Sequence, residues 1–191
     1  WGALYGGALF INDTGNVTMI NSLFKKNSAL GHRSHKLGYA YGLAFHVPFT
    51  STFCIMNCIF MDHFLTRIYG RIYGVVYINR TEKIFITNSK FIKNKLTRGG
   101  LFILVTRTIL VLNSTFWFNI ANSHGGGIYM EKVTNIFVRC SSFLKNRVEG
   151  FGSAMFVEES KIFKIEKCRM EYNINKRTID NLIESLANNY G

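Results

Sequence analysis

Apolar and polar residues alternate in short stretches along the whole chain. Val17 and Met19, Phe53 and Ile55, Ile84 and Ile86, Ile109 and Val111, Ile136 and Val138, and Phe163 and Ile165 form such pairs. A period of two predicts strands with one buried face. Each pair precedes an anchor residue: Phe24, Phe60, Phe91, Phe116, Phe143 and, in the sixth case, Met170. Four anchors sit in near-identical heptapeptides, "NSLFKKN", "NSKFIKN", "NSTFWFN" and "CSSFLKN". Two residues before each anchor stands a small side chain: Ser22, Cys58, Ser89, Ser114, Ser141 or Cys168. Three residues after it stands Asn27, His63, Asn94, Asn119, Asn146 or Asn173. A glycine-led strand comes earlier in every unit, as in "GGALFI" and "GGGIYM". Its aromatic residue is Phe10, Phe45, Tyr77, Phe102, Tyr129 or Phe156. The distance from that aromatic to the anchor is 14 residues in five units and 15 in the second.

The anchors are 36, 31, 25, 27 and 27 residues apart, and the variable part lies between each anchor and the next glycine pair. Such a unit holds two or three short strands. It has no room for a helical crossover of a dozen or more residues, nor for the four strands of a propeller blade. The arrangement that fits is a coil lying on the previous coil about 4.8 Å away. The pattern therefore predicts an all-β solenoid, a right-handed parallel β-helix of about six coils. The coils fall near residues 5–37, 38–69, 70–97, 98–124, 125–151 and 152–178. Phe91, Phe116 and Phe143 are expected in one buried column. The asparagines are expected at bends, bonded to backbone or to the next coil. The tail over 179–191 breaks the pattern. Ile179, Leu182, Ile183 and Leu186 follow helical spacing with Thr178 as N-cap, which predicts a short C-terminal helix capping the last coil.

Paired "GGA[ILV]" and "FxxN" tetrapeptides are the signature of polymorphic outer-membrane-protein repeats, and the chain resembles that family. It shows "GGAL" at Gly6 and "FKKN", "FIKN", "FWFN" and "FLKN" at Phe24, Phe91, Phe116 and Phe143. It departs at "FMDH" (Phe60) and "MEYN" (Met170). The resemblance spans about residues 5–175. It implies a pectin-lyase-like β-helix with surface, adhesive or structural roles, and it brings no catalytic residues.

The formal net charge is +12, which favours acidic partners. Basic residues recur after the anchors (Lys26, Lys93, Lys145) and in the turn after the glycine strand (Arg80, Lys83, Arg107, Lys132, Lys161). Columns of positive charge on a rod suit an anionic glycan; no nucleic-acid motif is present, and none is expected as partner. The acidic side chains are too few and scattered for paired-carboxylate or calcium chemistry. Glu131 and Glu158 fall at equivalent positions of adjacent coils, with Glu82 three places later than theirs. "GHRSH" brings His32 and His35 close but supplies only two metal ligands. The expectation is no enzyme, no cofactor and no metal. Cys54, Cys58, Cys140 and Cys168 lack metal-binding spacing and read as packed thiols, with Cys58 and Cys168 facing inward several coils apart. Sequons occur at Asn12, Asn16, Asn79 and Asn113. The first three lie in the turn after the glycine strand, where a glycan fits, whereas Asn113 belongs to the bend column.

No apolar run is long enough to span a membrane. The chain opens at Trp1 in mid-pattern, which reads as a fragment or a processed product. Partner subunits are expected at the N-terminal coil. The leading expectation is a non-enzymatic structural or adhesive segment of a larger surface or extracellular assembly. A β-helix that binds or cleaves anionic polysaccharide, and an intracellular scaffold subunit, are the alternatives.

Overall fold

A computed structural model describes residues 3–5, 7–12, 14–30, 39–66, 71–175 and 183–186. It is an all-β parallel solenoid of about five turns, and every strand pairing in it is parallel. The anchors lie in one sheet of six short strands. Phe24 pairs with Phe60, Phe60 with Phe91, Phe91 with Phe116, Phe116 with Phe143, and Phe143 with Met170. These pairings number the rungs one to six. A second six-stranded sheet carries the segments that follow the inner asparagines. The largest sheet stacks Leu9–Phe10, Phe45–Pro48, Val76–Thr87, Leu101–Leu112, Ile128–Arg139, Met155–Glu158 and Ile183–Leu186. A small fourth sheet joins Ala3–Tyr5, Tyr39–Tyr41 and Arg71–Tyr73.

The chain turns at residues held in the left-handed region, and these form columns of their own. Asn21, Asn57, Asn88, Asn113, Cys140 and Lys167 make one corner; Lys26, Asp62, Lys93, Phe118, Lys145 and Tyr172 make a second; Phe49, Arg80, Val105, Lys132 and Glu159 make a third. Asparagine tolerates that conformation better than most residues, which accounts for the first column's composition. Glycine opens the next coil for a related reason. At Gly152 φ is +67°, and a β-carbon there would lie 2.2 Å from the Met155 carbonyl oxygen.

Phe60, Phe91, Phe116 and Phe143 are completely buried and stack at centroid separations of 4.8–4.9 Å. The predicted column is therefore present. Phe24 and Met170, on the outermost rungs, are half-buried. Beside it run two polar ladders. Asn94 donates through Nδ2 to Asn119 Oδ1 (2.9 Å), Asn119 to Asn146 Oδ1 (3.0 Å), and Asn146 to Asn173 Oδ1 (3.0 Å). Each of the three also donates from its backbone N–H to the same acceptor and from Nδ2 to an anchor-strand carbonyl, so these buried amides are satisfied. The serine column does likewise: Ser89, Ser114 and Ser141 each donate Oγ–H to the carbonyl two residues earlier. Their oxygens accept the backbone N–H of Cys58, Ser89 and Ser114 respectively. A small side chain is needed at this position to reach back that far.

The expected helical tail is corrected in part. Ile183–Leu186 is a strand that pairs with Met155–Glu158, Ile183 lying beside Met155. The exposed edge of Met155–Glu158 offers a row of backbone donors and acceptors, and pairing with it overrides the helical spacing. The remainder of the expected helix, including Ile179 and Leu182, lies outside the described residues.

Candidate functional site

The strand register sorts the basic residues differently from the sequence pattern. The five cations after the glycine strand do not form one column. Arg80 and Lys132 share a corner column with Phe49, Val105 and Glu159. Arg107 and Lys161 fall in the column of Glu82, and Lys83 is level with Thr52, Thr108, Asn135 and Ile162. All five are exposed. Lys26, Lys93 and Lys145 do share one corner column, but Asp62 and Phe118 stand between them. At that corner the register creates a different arrangement. Rung four carries Trp117 and Phe118; the rungs on either side carry Lys90, Lys93 and Lys95, and Lys145 and Arg147. The Lys93 ammonium lies 5.4 Å from the Trp117 ring centroid, and the Arg147 guanidinium 5.5 Å from that of Phe118. Both contacts fall within cation–π range.

A second aromatic ladder lies outside the main core. Phe10, His46, Tyr77, Phe102, Tyr129 and Phe156 occupy successive rungs. Tyr77 stacks on Phe102 at 5.1 Å, Phe102 on Tyr129 at 4.7 Å, and Tyr129 on Phe156 at 5.1 Å. The second unit is thereby corrected: its ladder residue is His46, 14 residues before Phe60 as in every other unit. Phe45 instead points into the main core beside Leu9 and Val76. Tyr41, Tyr73, Arg98, His124 and Phe151 wall the ladder's outer side. Arg98 lies 4.7 Å from the Tyr129 centroid and 5.2 Å from that of Tyr73. This outer wall escaped the sequence reading because its distance from the ladder residue alternates between four and five.

Glu131 and Glu158 are brought side by side, as expected. The Tyr129 hydroxyl donates to Glu131 Oε2 at 3.0 Å and reaches Glu158 Oε2 at 3.4 Å. Glu131 also faces Arg98 at 4.0 Å and Lys132 at 3.9 Å. Burial, together with Glu131, holds the Tyr129 phenol above its ordinary range, so it stays protonated and donates. These contacts fasten the outer ladder to the surface, and Glu82 stands apart from them.

Asn12 and Asn16 are exposed. Asn79 is a poorer glycan acceptor in the folded chain: its Oδ1 is buried, and Thr81 of its sequon is buried and hydrogen-bonded to Thr50 at 2.9 Å. Asn113 occupies the exposed corner column with φ near 48°. All four cysteines are free thiols. Cys58 is buried and Cys168 half-buried, donating to carbonyls two residues earlier. Burial raises the Cys168 thiol above its usual range. Cys140 departs from the packed-thiol expectation, because the chain turns outward there and leaves it exposed at a corner. His32 and His35 lie outside the described residues; among the described residues no three His, Cys, Asp or Glu side chains gather as a metal site.

Two histidines in rung two replace residues that other rungs use. His63 takes the place of the inner asparagine and is fully buried. Its Nδ1 accepts the Asn27 N–H at 3.0 Å, which puts the proton on Nε2, buried without a hydrogen-bond partner. His63 N–H donates to Asn94 Oδ1. Burial holds the His63 pKa below its ordinary value, outweighing the nearby Asn27 and Phe24 backbone groups and Asp62. Burial lowers His46 to about 4.

No family model, curated protein or solved structure matches the chain. The likeness to outer-membrane-protein repeats thus rests on the two tetrapeptide registers, and the described fold agrees with it at the level of a parallel β-solenoid.

Proposed function

We propose that the chain is a non-enzymatic structural or adhesive β-helix that assembles end-on with further coils or with partner subunits at a surface. One observation carries this. Leu9 occupies the core column in which Phe45, Val76, Leu101, Ile128 and Met155 are at most marginally accessible, yet Leu9 itself is 42% exposed. Val17 and Phe24 on the same coil are only half-buried, and Phe10, Ile20 and Leu23 are exposed. Among the described residues nothing covers this face. Apolar side chains beside unpaired strand edges invite more chain. Trp1, expected at the same contact, lies outside the described residues.

The test is sedimentation velocity over a concentration series. The chain should associate, and Leu9→Lys combined with Leu23→Lys should leave a folded monomer, because charge on an edge strand blocks further pairing. A chain that stays monomeric at high concentration overturns the reading. We assign the assembly to the extracellular or cell-surface side, where the exposed sequons Asn12 and Asn16 would be used; an intracellular scaffold is the alternative. Glycan-free Asn12 and Asn16 in mass spectra of the native protein would favour that alternative.

A further inference from the structure

We propose that the corner around Trp117 and Phe118 binds an anionic polysaccharide, one bearing sulfate or carboxylate groups on sugars separated by uncharged ring faces. This goes beyond the end-on assembly and does not depend on it. The corner is built of three successive rungs. Rung three presents Lys90, Lys93 and Lys95, rung four Trp117 and Phe118, and rung five Lys145 and Arg147. All five cations are exposed, and the two rings are half-buried. No carboxylate occurs in residues 90–95, 115–120 or 142–147. The nearest acid on rung six, Glu171, is already engaged by Arg169 at 2.5 and 2.7 Å.

The rings do more than separate the charges. Lys and Arg side chains are long, and holding them in one place costs conformational entropy. Lys93 lies over Trp117 and Arg147 over Phe118, so both cations are partly ordered before any ligand arrives. Lys93 and Lys145 start from left-handed corner residues, which fixes where their side chains leave the backbone. The two cationic rungs are about 10 Å apart, twice the rung spacing, with an apolar rung between them. A nucleic acid carries a phosphate every ~3.4 Å of each strand, far denser than this spacing. A glycan with acid groups on alternating sugars presents charge, ring face and charge in the order the corner offers. Its carbon–hydrogen faces can lie against Trp117 and Phe118 while the Arg147 fork takes a sulfate or carboxylate.

The experiment is calorimetric titration of the full chain with a size-defined heparin oligosaccharide and with an oligogalacturonate of equal length, at fixed and then varied salt. Three variants separate this corner from the general positive charge. Lys93→Gln with Arg147→Gln removes the pinned cations, and binding should weaken at least tenfold. Trp117→Leu with Phe118→Leu keeps every charge, and binding should still weaken severalfold. Lys83→Gln with Lys161→Gln removes the same charge from another face, and affinity should stay within twofold of the parent. Circular dichroism confirms that each variant is folded. The proposal is overturned if neither glycan binds, if the Lys83/Lys161 variant loses as much as the Lys93/Arg147 variant, or if the ring variant binds as the parent does. Tighter binding of single-stranded DNA or polyglutamate than of either glycan overturns the assignment to polysaccharide. A monomeric chain that binds the oligosaccharide keeps this proposal and removes the end-on assembly.

Discussion

Val105 occupies a position that suits few side chains. Its φ is 50°, and its β-branched side chain is exposed rather than packed. The left-handed conformation costs an L-residue roughly 1–2 kcal/mol, whereas asparagine visits it readily. Val105→Asn should therefore raise stability by about 0.5–1 kcal/mol by relieving that strain. The measurement is the urea midpoint, with the slope unchanged; a lower midpoint would show that Val105 contributes packing the corner needs. At this scale much was legible in the sequence, because each column repeats its letter: the anchors, the serines and the inner asparagines appear where their spacing put them. His46 was not legible. An aromatic at Phe45 lies one residue from the ladder position, and only the pairing register shows which of two adjacent side chains points outward.

The seam between the first and second coils is the element most exposed to acid. His63 and His46 both belong to the second coil and touch the first, through the Asn27 N–H and the Phe10 ring. The groups facing His63 are Asn27, Asn94 and Asp62, and those around His46 are Phe10, Tyr41 and Tyr77. Protonated His63 must surrender the Asn27 N–H and place a charge in a buried site. The folded-state pKa values of both histidines lie below the unfolded value near 6.5, so the unfolded chain binds more protons in this range. Their contribution is constant above about pH 6.5 and is lost as the pH falls toward about 4, the folded value for His46. Hydrogen exchange at pH 7 and pH 5 should show residues 14–28 losing protection before the rest. His63→Asn, which restores the ladder residue of other rungs, should blunt that loss; equal loss in both proteins would place the sensitivity elsewhere. The tail was the element least legible. Ile183 and Leu186 carry a helical spacing, but a helix is only one way to use four residues beside an open strand edge, and that edge is a tertiary feature.

At the scale of the whole molecule, each coil contacts only its neighbours, so stability adds up rung by rung. Leu101–Leu112 and Ile128–Arg139 pair along their full lengths on both sides, while Thr14–Ile20 pairs on one side only among the described strands. Amide protection should fall from those central strands toward the first coil; uniform protection would mean that the rod opens as one cooperative unit. The ladders also give the rod a direction. Every pairing is parallel, and from Asn94 to Asn146 each side-chain amide donates toward the higher-numbered coil. The two ends are therefore chemically different: one extends the stack by offering acceptors, the other by offering donors. Two such ends can continue the ladder only head to tail. A pair related by a two-fold axis would set the strands antiparallel and turn one amide stack against the other. Assembly by continuing the coil is thus heterologous. It has no built-in stopping point unless rotation closes a ring, and its length must be set by something other than the repeat.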